Sequence, residues 1–179
     1  MRAGAHSDYG SITLLFQRPG QPGLEILTPE GTWAPVPVEP DQGQQPEEGN
    51  GDYPLPPILV NIGDLLSYWT DGLLKSTVHR VVFPLSDSEQ TNPQDRYSVV
   101  YFCHPVDSTE LVPVPSEIVA RHREECMRRG AHAGDNEKVG YGGGAGALES
   151  GKRALTAYEH LMSRLEATYG FGKKTEGEE

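Results

Sequence analysis

Cysteine is scarce: Cys103 and Cys126 are the only two in 179 residues. That excludes a disulfide framework, and no C-x-x-C spacing offers a zinc site. No apolar run approaches the ~18 residues that cross a bilayer. No N-x-[ST] acceptor occurs, and Met1-Arg2-Ala3-Gly4 runs into His6 without an apolar leader. Basic residues are few, with 15 Lys and Arg against 26 Asp and Glu and a net charge of -11. Nucleic acid and anionic membrane are therefore poor partners. These absences together predict a cytoplasmic protein. What is plentiful is loop-forming residue: 21 Gly and 15 Pro, beside only 36% hydrophobic residues. One compact core wrapped in long loops is the expectation, and the length fits a single domain.

Short segments rich in Ile, Leu, Val and Phe alternate with turn signals over the first two thirds of the chain. Ser11 to Phe16 and Gly23 to Leu27 read as strands, split by the turn Gln17-Arg18-Pro19-Gly20-Gln21-Pro22. Trp33 to Val38 reads as a Pro-interrupted edge strand. Ile58 to Ile62, Thr77 to Phe83 and Arg96 to His104 supply three more, with a turn at Asp71-Gly72 and no helix among them. Such a pattern predicts a sandwich or barrel. The polar stretches Asp41 to Tyr53 and Ser86 to Asp95 read as solvated insertions. After Pro113, Ser116 is placed to cap a helix over Glu117 to Arg129, closed by Gly130. Gly140 to Ala147 reads as a flexible linker. Leu155, Tyr158, Leu161, Met162 and Leu165 form the apolar stripe of a last helix ending at Gly170.

Several patterns imitate functional motifs. Gly146-Ala147-Leu148-Glu149-Ser150-Gly151-Lys152 nearly spells a P-loop, but Arg153 stands where a Ser or Thr must hold Mg²⁺. Arg121, Arg123, Arg128 and Arg129 read as the solvated face of a helix. Surface or packing roles are the default for His122, His132 and His160, and packing is expected for His104. His6-Ser7-Asp8 differs. On a strand, i and i+2 share a face, so an imidazole and a carboxylate would stand side by side. A second imidazole would complete a 2-His-1-carboxylate triad, leaving three positions of an octahedron open. His79 lies among apolar neighbours in Thr77-Val78-His79-Arg80-Val81, and Arg96 and Ser98 again stand at i and i+2. An arginine fork beside a hydroxyl is a receptor for a carboxylate. The duller readings are a surface His beside an Asp, and an ion pair of Arg96 with Asp95 or Asp87.

An ordered series of stretches resembles the 2-oxoglutarate and Fe(II)-dependent dioxygenases, in the subfamily that includes isopenicillin N synthase. The stretches are Gly4-Ala5-His6-Ser7-Asp8-Tyr9-Gly10, Gly23-Leu24-Glu25, Val60-Asn61-Ile62-Gly63-Asp64-Leu65 and Asp71-Gly72. Lys75 to Val81, Arg96-Tyr97-Ser98, Phe102-Cys103-His104-Pro105 and the Leu155 to Gly170 helix complete it. The resemblance implies a mainly β fold, a partial double-stranded β-helix (jelly roll) with C-terminal helices. With the pattern along the chain, this predicts a jelly-roll domain over residues 1–110 lacking its opening strands, a helical extension with a Gly-rich linker over 111–172 and a disordered tail over 173–179. It implies that His6, Asp8 and His79 bind Fe(II) and that Arg96 and Ser98 hold the distal carboxylate of 2-oxoglutarate. The activity implied is O₂-dependent oxidation of a small organic substrate by hydroxylation, desaturation or ring closure, giving succinate and CO₂.

Asp8 to His79 spans 71 positions and His79 to Arg96 spans 17, both longer than is usual in that family, with each surplus in a polar loop. Only five residues precede His6, where family members carry helices and the opening strands. The chain is therefore expected to be a C-terminal portion with an open sheet edge and a tendency to self-associate. Two other readings stay open. One is an oxidase of the same family whose Arg96 and Ser98 grip the substrate's own carboxylate. The other is a non-catalytic jelly-roll remnant serving as a binding module.

Overall fold

Alternation in Ile12-Thr13-Leu14-Leu15-Phe16-Gln17 gives this segment two distinct faces, because successive strand side chains point to opposite sides. The computed structural model describes residues 3–39, 57–82, 95–129 and 153–170. In it this segment is β2 (Ile12–Gln17), preceded by β1 (Ala3–His6). Next come β3 (Leu24–Leu27), β4 (Trp33–Pro35) and β5 (Ile58–Ile62). β6 (His79–Val81) and β7 (Ser98–Cys103) complete two sheets, ordered β1-β6-β3-β4 and β5-β2-β7. Every pairing is antiparallel. Two antiparallel sheets joined by non-consecutive strands form the expected mainly β, jelly-roll architecture.

Register sorts the side chains of β5-β2-β7. Thr13 stands opposite Asn61 and Phe102, and Leu15 opposite Leu59 and Val100. These residues turn toward the cavity shared with the other sheet. The opposite face carries three apolar cross-strand rows. Phe16 lies between Ile58 and Val99, Leu14 between Val60 and Tyr101, and Ile12 between Ile62 and Cys103. Val60, Val99 and Tyr101 are more than half exposed. The outer face of this sheet is thus apolar, whereas the cavity face mixes Leu15, Leu59 and Val100 with Thr13, Asn61 and Ser98.

Strand ends differ from the sequence reading. β4 stops at Pro35 instead of Val38, since Pro35 and Pro37 lack the N–H a ladder needs. β6 begins at His79, not Thr77, and β7 at Ser98, not Arg96. A larger correction is α1 (Asp64–Trp69), a helix within the run of strands. Six residues are too few to display a 3.6-residue stripe. Tertiary contacts form it instead: Asp64 and Leu65 donate their N–H groups to the carbonyls of Asp8 (2.8 Å) and Gly10 (3.0 Å). Those bonds satisfy donors that a helix start leaves unpaired. They need a close approach, because a Cβ on Gly63 would collide with the Gly10 carbonyl.

Two further helices are present. α2 (Glu117–Arg128) has Ser116 at its cap position, although that side chain makes no capping bond. α3 (Ala157–Tyr169) opens with a Thr156–Glu159 capping box and closes at Gly170 with φ 69°. Its expected apolar stripe faces inward only in part: Leu155 precedes the helix, Tyr158 and Met162 are exposed, and Ala157 and His160 are the buried members. The core cluster is Leu65, Tyr68, Leu111 and Ala157, packed by Trp69 and Leu155. It sits beneath α1 and α3 rather than between the sheets. Chain 107–116 stitches the two helices, with Leu111 N–H on Leu155 O and Val114 N–H on Trp69 O, both 2.8 Å.

The 41–53 insertion, most of the 86–95 loop, the 140–147 linker and the 173–179 tail lie outside the described residues, as does His132. No described helix is long and apolar enough to cross a membrane.

Candidate metal centre

His6 ends β1 and His79 begins β6, and the antiparallel pairing sets them directly opposite. Their ring centroids are 4.4 Å apart. Asp8 lies two residues beyond the end of β1, so the shared-strand-face argument for His6 and Asp8 fails. The loop after the strand brings the carboxylate to the imidazoles all the same. Asp8 Oδ1 lies 3.9 Å from His6 Nε2 and 3.6 Å from His79 Nε2. One ligand atom from each of the three residues falls within 4.8 Å of the others, a grouping found nowhere else among the described residues.

Surrounding hydrogen bonds decide which atoms face inward. Each histidine Nδ1 meets a backbone carbonyl, Gly4 O at 2.7 Å for His6 and Thr77 O at 3.0 Å for His79. A carbonyl only accepts, so Nδ1 carries the proton and Nε2 presents its lone pair to the centre. Asp8 Oδ2 accepts from Thr13 Oγ1 (2.6 Å) and Asn61 Nδ2 (2.7 Å), which turns Oδ1 toward the imidazoles. Asp8 is only 6% exposed. Two neutral imidazole nitrogens and one carboxylate oxygen, gathered on one side of an open space, fit the donor set of non-heme Fe(II).

That space is a cavity of about 330 Å³ between the sheets. Its walls are largely apolar, with Leu15, Leu24, Ile26, Leu59, Val81 and Val100 among them. Arg96 and Ser98 both line it, although Arg96 precedes β7 and the two do not share a strand. Arg96 Nε donates to the carbonyls of Pro22 (3.1 Å) and Gln21 (3.3 Å). Nη1 lies 3.5 Å from Ser98 Oγ, and Nη2 3.3 Å from Gln17 Oε1. The backbone bonds pin the guanidinium stem and fix the direction of the fork.

Behind the centre sits Asp64, 3% exposed. Burial pushes its carboxyl above the ordinary carboxylate range, while Ser76, Ser7 and Arg164 pull it back. Burial also holds His160 down, at about 4, with Arg164 and His104 adding to the effect and the Tyr9 backbone opposing it. His160 thus packs, as expected, as a neutral ring. His104, by contrast, is exposed rather than packed, its Nδ1 against the carbonyl of Pro105. The Arg121–Arg129 cluster is not wholly a solvated face, because Arg123 Nε pairs with buried Asp71 at 2.5 Å.

Reasoning from sequence gave no role to Thr13, Gln17, Asn61 or Arg164. A signal for the first three exists: they are polar residues set into the apolar strands Ile12–Gln17 and Ile58–Ile62. Their parity places them on one face. Nothing in the sequence links Arg164 to the centre.

Comparison with known proteins places the chain in a family. Residues 1–105 match the model of the 2OG-Fe(II) oxygenase superfamily. The UPF0676 protein C1494.01 of Schizosaccharomyces pombe is 42% identical over 98% of this chain and 40% of its own length. The 2-oxoglutarate-dependent dioxygenase htyE of Aspergillus rugulosus is 33% identical over 95% of this chain and 41% of its own. Among solved structures, a full-length Neurospora crassa protein in complex with alpha-KG superposes with a TM-score of 0.57 and 30% identity, over 94% of this chain and 38% of that one. The chain therefore spans about two fifths of the length of these relatives. With its opposed histidines, its aspartate and a family match over most of its length, the chain belongs to the 2OG-Fe(II) oxygenase superfamily.

Proposed function

We propose that residues 1–110 carry the Fe(II) and 2-oxoglutarate site of an oxygenase that oxidises a small organic metabolite with O₂, yielding succinate and CO₂. The observation that carries this reading is the convergence of His6 Nε2, Asp8 Oδ1 and His79 Nε2 at the wall of a cavity that Arg96 and Ser98 also line. When bound, Fe(II) supplies the O₂ chemistry, and oxidative decarboxylation of 2-oxoglutarate supplies the electrons. The chain's own residues bind and orient. His6 and His79 offer unprotonated Nε2 atoms because the Gly4 and Thr77 carbonyls hold the ring protons at Nδ1. Thr13 and Asn61 occupy Asp8 Oδ2, so the carboxylate presents one oxygen in a fixed direction.

In this reading Arg96 and Ser98 receive the distal carboxylate of 2-oxoglutarate. The fork supplies charge-assisted bonds and the hydroxyl a further donor. Leu15, Leu59 and Val100 give the cavity apolar walls. Hydroxylation, desaturation and ring closure all suit such a site.

The test is an anaerobic Fe(II) titration of the full chain with and without 2-oxoglutarate. A weak visible charge-transfer band should appear only when both are present, and should vanish in His79→Ala. Fe(II) binding without that band would reassign Arg96 to a substrate carboxylate. No Fe(II) binding at all would refute the proposal.

A further inference from the structure

We propose that Asp64 and Arg164 are positioning residues for the metal centre, through which the C-terminal helix holds both ligand-bearing segments in register. The inference rests on the metal-centre reading and goes beyond it. The Asp64 carboxylate is buried, and neither of its oxygens closes a full hydrogen bond. Three groups face it instead. Ser7, between His6 and Asp8, and Ser76, three residues before His79, are almost fully buried near it, their hydroxyls likewise closing no full hydrogen bond. Arg164 Nη2, from α3, stands 3.7 Å from Oδ2.

One carboxylate therefore adjoins the segment that carries His6 and Asp8, the segment leading to His79, and the last described helix. A second contact reinforces the first. The Arg164 guanidinium lies over the Tyr9 ring at 4.9 Å, next in sequence to Asp8, and Tyr9 OH meets Thr168 Oγ1 at 2.5 Å. The Asp64 N–H already holds the Asp8 carbonyl at 2.8 Å. A buried charge that loses its partner is strongly unfavourable, so without Arg164 the carboxylate must take up a proton or move. The packing of Ser7 and Ser76 against it would change, and with it the spacing of the ligands they flank.

Co(II) binding to the full chain tests this, read as affinity and as the visible ligand-field spectrum. Arg164→Met should weaken binding by roughly 10- to 100-fold, the loss typical when a group supporting metal ligands is removed. It should also change the spectrum, while Arg164→Lys recovers most of both. Val119→Ala, a cavity in α2, should lower the melting temperature and leave the spectrum unchanged. Wild-type affinity and spectrum in Arg164→Met would overturn the proposal. If that variant does not fold, Asp64→Asn gives the same reading, and an unchanged spectrum there is equally fatal. Loss of Co(II) in His79→Ala, with none in Arg164→Met, would sink this inference alone. A wild-type chain that binds no Co(II) would sink the metal reading with it.

Discussion

Replacing Thr13 with valine keeps the shape of the side chain and removes one hydroxyl. That hydroxyl belongs to a residue only 4% exposed and donates to Asp8 Oδ2 at 2.6 Å. A hydrogen bond to a charged, buried acceptor contributes about 1.5–3 kcal/mol. Each 1.4 kcal/mol is a factor of ten in affinity, so Fe(II) or Co(II) should bind roughly 10- to 100-fold more weakly. The loss arises because Oδ2 then keeps only Asn61 Nδ2, at 2.7 Å, and the carboxylate is free to swing. Since Thr13 and Asn61 hold the same oxygen, Thr13→Val and Asn61→Ala should be non-additive by more than the ~0.5 kcal/mol scatter of independent sites. Isothermal titration with the metal alone, across the four proteins of this cycle, provides the measurement. Wild-type affinity in Thr13→Val, or strict additivity in the cycle, would refute the claim that Oδ2 is held so that Oδ1 can bind.

Gly63→Ala should destabilise the fold by about 1–3 kcal/mol, because its Cβ meets the Gly10 carbonyl and the Asp8 loop must shift; thermal melting and metal titration would both register it. His160 stays neutral down to about 4, whereas in the unfolded chain it takes up a proton near 6.5. Stability should therefore be level above pH 6.5 and fall by about 3 kcal/mol as the pH drops toward 4, with a smaller fall in His160→Asn, checked by urea unfolding at several pH values. Arg96→Lys keeps the charge and loses the planar fork, so calorimetry should show 2-oxoglutarate binding weakened by about 1.5–3 kcal/mol. The apolar rows of β5-β2-β7 should make the chain self-associate with rising concentration, which light scattering would detect and Val99→Lys with Tyr101→Lys should reduce.

The strands rich in apolar residues are legible from sequence to within a residue or two, as Ile58–Ile62 and Ile12–Gln17 show. Short elements are not. α1 is held by the Asp8 and Gly10 carbonyls, partners more than fifty residues away that no local window can see. His6, Asp8 and His79 do come together, yet a shared strand face is not what joins the first pair. Asp8 is brought in by a loop, and period-two reasoning reached the right neighbour through a strand that had already ended. The polar residues that orient Asp8 were readable in principle, since Thr13 and Asn61 break apolar strands at positions of equal parity. Arg164 was not, because its role depends on where α3 docks, and a charged residue on an amphipathic helix looks the same whether it meets water or Asp64.

The pairing of β1 has a kinetic consequence. Among the described strands, β1 hydrogen-bonds only to β6, and Asp8 is separated from His79 by 71 positions. His6 and Asp8 are neighbours in any conformation of the chain, but the second imidazole joins them only after that long loop has closed. On the proposed assignment, the unfolded polypeptide offers the metal His6 and Asp8 together, and His79 arrives with a non-local strand pairing, the slowest class of contact to form. A metal bound to the completed centre lowers the free energy of the native state by mass action and does little for the species that precede it. Loading should lengthen the lifetime of the folded chain while leaving its rate of folding almost unaltered.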